Sequence, residues 1–124
     1  MSNNTSRPII FFKRSCPFCL KVNLFLLEAG MMADVEIREF EPGSKQEEDI
    51  RVELSPHLPK VSFPAARLEP GRYIAESDDI IAFLAARSGR EPASMPVLTS
   101  YIEGALKPMM KLWKENVELK AAAA

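Results

Sequence analysis

Apolar positions along the chain switch between two periods, and the switches mark the elements. Ile9-Ile10-Phe11-Phe12 is a short continuous apolar run, as expected of a buried strand. Over 17–29 the period lengthens. Val22, Leu26 and Ala29 share one side with Phe18 and Phe25 nearby, which predicts a helix, and Gly30 stands where a C-cap is expected. Val35 to Phe40 alternates apolar and polar, the period of a half-buried strand, and Pro42-Gly43 breaks it. Lys45 to Leu54 is polar and predicts a helix with Ile50 and Leu54 turned inward. Its Gln46-Glu47-Glu48-Asp49 run is a solvated first turn that suits the helix dipole. Ser55 to Pro59 is a loop. Glu69-Pro70-Gly71-Arg72 has Pro and Gly at the central positions of a type II turn, so 65–75 reads as a hairpin. Ser77 is the expected N-cap of a helix through Ile80, Ile81, Phe83 and Leu84 to Arg87, ended by Gly89. Residues 90–96 form a loop. A last helix over about 97–119 carries Leu98, Ile102, Ala105, Met109 and Trp113 on one stripe, and Pro108 should kink it.

The order is therefore β-α-β-α-β-β-α plus one helix. The first βα unit gives a parallel pair and the hairpin an antiparallel one, so the expected class is α/β, a mixed four-stranded sheet with flanking helices and an extra C-terminal helix. The expected organisation is a flexible N-terminus over 1–7, one domain over 8–89, a helical extension over 90–120 and a low-complexity alanine tail over 121–124. The stripe of the last helix is expected to pack on the sheet. The alternative is a homodimer face made by Leu106, Met110 and Trp113.

At 124 residues the chain suits one domain with a real core. Hydrophobic residues make up 47% and charged residues 27%, ordinary for a globular protein, and a net charge of −1 offers no footprint for nucleic acid or an anionic membrane. No apolar run approaches the roughly 20 residues of a membrane span, and the polar start has no signal-peptide core.

Both cysteines lie in one tetrapeptide, Cys16-Pro17-Phe18-Cys19, between the first strand and the first helix. A Cys-x-x-Cys opening a helix is the arrangement of a thiol–disulfide redox site. Free backbone N–H groups and the positive end of the helix dipole favour the thiolate, the form that attacks disulfides. Pro17 fits the first helical position, which argues for a built helix start. A zinc site would need two more soft ligands, yet there is no third cysteine and His57 is the one histidine. A structural disulfide would close too short a loop to restrict the unfolded chain much. A cycling pair suits a reducing cytosol. His57 sits in a Pro-flanked loop and reads as a surface residue.

Two further pieces bear on the site. Pro64 follows two β-formers and precedes a strand. It is either an ordinary edge proline or a cis Phe63-Pro64 bond that exposes the Phe63 backbone to an extended peptide. Glu76-Ser77 opens the third helix, where a hydroxyl beside free N–H groups either caps the helix or cradles a carboxylate.

With these residues in view, the chain resembles the thioredoxin-like domain of glutaredoxins and of the N-terminal half of glutathione S-transferases. Lys13 three residues before Cys16-Pro17-Phe18-Cys19 is the glutaredoxin side. Phe63-Pro64-Ala65, the Glu69-Pro70-Gly71 turn and Tyr73-Ile74-Ala75-Glu76-Ser77-Asp78-Asp79-Ile80 are the transferase side. The resemblance spans about residues 8–88. It implies Cys16 as nucleophile and site of a mixed disulfide with glutathione, and Cys19 as resolving thiol. Lys13 would support the thiolate and the glycyl carboxylate, a task Arg14 could share. Phe63 would pair its backbone with the cysteinyl part, with Pro64 cis, and Glu76 and Ser77 would hold the γ-glutamyl end. Pro17 and Phe18 complete the implied glutathione-binding set. Pro17 also disfavours an iron–sulfur cluster in glutaredoxin-like families. The implied activity is a glutathione-dependent thiol–disulfide oxidoreductase with glutathione as co-substrate, no metal, and protein or small-molecule disulfides as partners. A full transferase has a second helical domain that carries much of its apolar substrate site, and only 35 residues follow Gly89. The alternatives are a transferase-like use of Cys16 on small electrophiles and a non-catalytic glutathione-binding module.

Overall fold

The computed structural model describes residues 7–123. The expected flexible stretch 1–7 lies outside the described residues except for Arg7, whose guanidinium donates to the Ala33 and Val35 carbonyls. Ala124 also lies outside them.

Strand β1 (Ile9–Lys13) leads into α1 (Pro17–Ala29), then β2 (Glu36–Phe40), α2 (Lys45–Leu54), the hairpin β3 (Ala65–Glu69) and β4 (Arg72–Ala75), and α3 (Ser77–Ser88). The sheet order is β2-β1-β3-β4. β1 runs parallel to β2 and antiparallel to β3, so it is covered on both edges. This is the mixed four-stranded sheet expected from the sequence.

The two faces of β1 account for the two halves of the core. Ile10 and Phe12 point to one side, where Val22, Phe25 and Leu26 of α1 meet Ile80 and Leu84 of α3. Phe11 points to the other, against Phe40 and the Ile50 and Leu54 face of α2. A strand buried on both faces reads as a continuous apolar run, because alternation has no polar side to show. Helix ends follow local chemistry. Gly30 and Gly89 close α1 and α3 at φ 72° and 73°. Ser44 accepts from the Glu47 N–H at the start of α2.

Two expectations need correction here. Ser77 is not the N-cap of α3 but its first helical residue, and Glu76 takes the cap position without a side-chain cap bond. The last helix is not one kinked rod packed on the sheet. α4 (Pro96–Tyr101) passes through a single π-helical turn (Ile102–Leu106) into α5 (Lys107–Ala123). Pro108 has no N–H and its ring would crowd the carbonyl four residues earlier, and the wider turn just before it accommodates both. α4 packs on α1 through buried Leu98, and Glu28 of α1 caps it by accepting from the Val97 and Leu98 N–H groups at 3.0 and 2.8 Å. Leu106, one residue of the alternative dimer face, is buried. α5 then leaves the body with no buried residue, and Leu112, Trp113, Val117 and Leu119 are exposed. Its helix runs through the alanines to 123, past the expected boundary at 120.

Candidate functional site

The site grows from the end of β1. Three residues beyond that strand, Cys16 takes the N-cap of α1 with extended backbone (φ −108°, ψ 119°), and Pro17 follows at the first helical position. Ser15, just before it, has φ 60°. Glu76 has φ 153°, and these are the non-glycine residues of positive φ among the described residues. Both flank the site, where such backbone strain tends to collect.

The partly buried Cys16 thiol is shifted from 9.0 to about 6. The largest cause is a hydrogen bond from the Cys19 thiol. The N–H groups of Cys19 and Phe18 and the Lys13 cation add to it, and burial opposes it. Cys19 is buried at 3% exposure, and its sulfur accepts from the Lys13 N–H at 3.4 Å. Donating to Cys16, together with burial, pushes its own thiol far up. The pair is thus divided into an accessible thiolate and a withheld thiol.

Cys16 Sγ lies 3.9 Å from the Phe63 carbonyl oxygen. The Phe63-Pro64 bond is cis. The Phe63 ring meets Phe40 edge-on at 4.7 Å, and the Arg51 guanidinium lies over it at 5.2 Å. The backbone at the mouth of the site is therefore held from both core clusters.

Two open grooves flank Cys16. One, of about 410 Å³, brings together Phe18, Phe63, Pro64, Glu76 and Ser77, all named from sequence. The other, of about 400 Å³, holds Lys13, Cys16, Pro17 and Cys19. The sequence-derived set is thus split into two groups around Cys16 and joined by the Cys16–Phe63 contact. Arg14 also lines the second groove, with its Nε 3.2 Å from Glu39, another lining residue, and its Nη1 3.6 Å from Glu41. His57 is exposed and stacks on Tyr73 with ring centroids 4.0 Å apart.

Sequence reasoning missed several groups. Lys21 and Asp78 line the first groove, with Leu106 and Met110 as a wall from the helical extension. Tyr101 and Met109 line the second. The Tyr101 hydroxyl donates to the Pro17 carbonyl at 2.6 Å, and burial followed by the charge of Cys16 raises its pKa. For Lys21 a signal existed, since it falls one helical turn after Pro17 and Phe18. For Tyr101 and the methionines there was none, because their place depends on the path of the extension.

Among the described residues no three His, Cys, Asp or Glu side chains are grouped to hold a metal ion. No helix among them is long and apolar enough to cross a membrane.

The glutathione S-transferase N-terminal domain model matches residues 10–92. No curated protein matches the chain. Among solved structures, glutathione transferase Omega 3C from Trametes versicolor is 18% identical with a TM-score of 0.56, and the match covers 79% of this chain and 42% of that one. Omega 2C from the same organism is 23% identical with a TM-score of 0.54, covering 74% and 43%. A glutathione S-transferase from the Antarctic clam Laternula elliptica is 18% identical with a TM-score of 0.54, covering 82% and 46%. At these identities the likeness is one of fold. The chain spans less than half the length of these solved relatives.

Proposed function

We propose that this chain, which belongs to the glutathione S-transferase N-terminal domain family, is a glutathione-dependent thiol–disulfide oxidoreductase of glutaredoxin type. One observation carries the reading. The thiol at the N-cap of α1 is lowered to about 6 while its partner is buried and pushed up. A pure binding module has no use for that division, whereas disulfide exchange needs a thiolate at neutral pH and access to it.

In the first step the Cys16 thiolate attacks the glutathionyl sulfur of a mixed disulfide. The S–S bond breaks, the departing thiolate takes a proton from water, and Cys16 is left disulfide-bonded to glutathione. A second glutathione thiolate attacks that glutathionyl sulfur. Cys16 returns as thiolate and oxidised glutathione leaves, so in sum one glutathione enters for each thiol released and the disulfide passes from the substrate to the glutathione pair. Burial of Cys19 supports this route over attack by Cys19. The Phe63 backbone, Glu76, Ser77, Phe18 and Pro64 on one side, and Lys13 and Pro17 on the other, are the groups we assign to glutathione. The reductant implies a compartment rich in reduced glutathione, such as the cytosol.

The test is glutathione-dependent reduction of a small mixed disulfide by wild type, Cys16→Ser and Cys19→Ser. Expected is loss of activity with Cys16→Ser and largely kept activity with Cys19→Ser. A wild type that binds glutathione but reduces nothing would sink the reading. A second reading, attack of Cys16 on small electrophiles, is favoured by one feature. The second groove presents Leu20, Tyr101 and Met109 beside Cys16, with room for a small apolar substrate.

A further inference from the structure

One peptide unit at the start of α1 is engaged at both ends. Its carbonyl belongs to Pro17, the first helical residue, and the Tyr101 hydroxyl of α4 donates to it at 2.6 Å. Its N–H belongs to Phe18. That N–H is a free donor of the first helical turn, beside the N-cap sulfur, and one of the groups that lower the Cys16 pKa. A single amide therefore separates the phenol from the group that serves the thiolate. Tyr101 and Cys16 also line the same groove. Burial, followed by the charge of Cys16, raises Tyr101 above its ordinary 10.0, so the phenol keeps its proton throughout the range in which Cys16 titrates.

A mere tether has little need of this bond. α4 is already fixed to α1 by buried Leu98 and by the Glu28 carboxylate on the Val97 and Leu98 N–H groups. Nor is the Pro17 carbonyl an orphan. Helix geometry supplies its bond from the N–H four residues on, and the phenol takes the second lone pair. What the second bond changes is the amide itself. Donation to a carbonyl draws electron density toward oxygen and leaves the N–H of the same amide a stronger donor, the cooperativity of hydrogen-bond chains. That donor meets an anion when Cys16 ionises, so the thiolate gains more than the neutral thiol.

We infer that Tyr101 is a positioning residue for the nucleophile, acting on Cys16 through the Pro17–Phe18 peptide, to whose carbonyl its proton is committed. The inference rests on the reading of Cys16 as nucleophile given above and does not depend on which disulfide Cys16 attacks. It adds that the helical extension takes part in activating the thiol. α4 is then an element of the site, and a displacement of α4 is felt at Cys16.

The experiment follows iodoacetamide alkylation of Cys16 against pH in pre-reduced wild type and Tyr101→Phe, with the modified cysteine identified by mass. The variant keeps the ring and deletes only the donor. Cooperative strengthening of about 10–30% in a bond to a charged group corresponds to alkylation about twofold slower at pH 6, where wild-type Cys16 is half ionised. The rate at pH 9, where both proteins are thiolate, should be nearly unchanged. The charged groups bordering Cys16, namely Lys13, Arg14 and Glu39 in one groove and Lys21, Glu76 and Asp78 in the other, are common to both proteins. 3-Fluorotyrosine at position 101, a stronger donor of nearly the same size and still protonated at pH 6, should speed alkylation there, which a tether would not do. It also serves if Tyr101→Phe does not fold. A pH profile that Tyr101→Phe leaves in place overturns the inference. So does a loss of equal size at pH 6 and pH 9, which marks a change of access, and so does a fluorotyrosine variant no faster than wild type at pH 6. A wild type whose Cys16 titrates near 9 refutes the nucleophile reading itself, and the inference with it.

Discussion

Replacing Cys19 by alanine removes the largest single cause of the Cys16 shift while leaving the helix terminus, the Phe18 N–H and Lys13 where they are. At a pKa of about 6 roughly nine-tenths of Cys16 is thiolate at pH 7, whereas at the ordinary 9.0 it is on the order of one part in a hundred. The variant should titrate between those limits, with its reactivity at pH 7 falling severalfold or more. Cys16 is the one thiol left in Cys19→Ala, so both thiolate ultraviolet absorbance and the pH dependence of iodoacetamide alkylation report on it without ambiguity. Cys19→Ser keeps a hydroxyl donor at the same place and should sit closer to wild type. If Cys19→Ala still titrates near 6, the hydrogen bond is not the cause, and the helix terminus and Lys13 must supply the shift. If serine and alanine behave alike, the cause is not donation but the space the sulfur fills.

The same shift has a sign in stability. The folded pKa of Cys16 lies below its unfolded value, so its contribution is fully present above about 9 and is lost as pH falls through about 6. Under reducing conditions the melting temperature of wild type relative to Cys16→Ala should therefore climb from pH 6 to pH 9, and a flat difference would contradict it. The helical extension predicts an asymmetry. Leu98→Ala, which opens the α1–α4 contact, should cost about 2–5 kcal/mol in urea unfolding, whereas Leu112→Ala, on an uncovered face, should stay within about 0.5 kcal/mol. Equal effects would mean that α5 is covered in solution.

The sheet and its helices were legible because each signal was local. Ile50 and Leu54 turned inward from a polar segment, and Pro70-Gly71 set the hairpin turn with Gly71 at φ 80°. The cysteine pair was equally plain, since its chemistry follows from a helix start four residues long. What escaped was non-local. The spacing of Lys21 from Pro17 and Phe18 put it on their side of α1, but its partner Asp78 lies on α3, and Glu28 caps a helix some seventy positions away. Ser77 was misread by one position because Glu76 can hold a positive φ that propensity does not foresee. Pro108 announced a disturbance without saying that a π turn would absorb it.

The strand order also determines when the site comes into being. β1, α1 and β2 are close in sequence, as are β3, β4 and α3, so each half can organise through short loops. β1 meets β3 only when Phe11 finds Ala65 and a long stretch of chain is closed. Loop closure of that kind is the slow, entropically costly event in such topologies. Cys16 belongs to the first half, and Phe63, Glu76 and Ser77 to the second. Each half holds one side of the site, and during refolding the approach of the Cys16 thiol to the Phe63 carbonyl marks the moment at which the two halves dock.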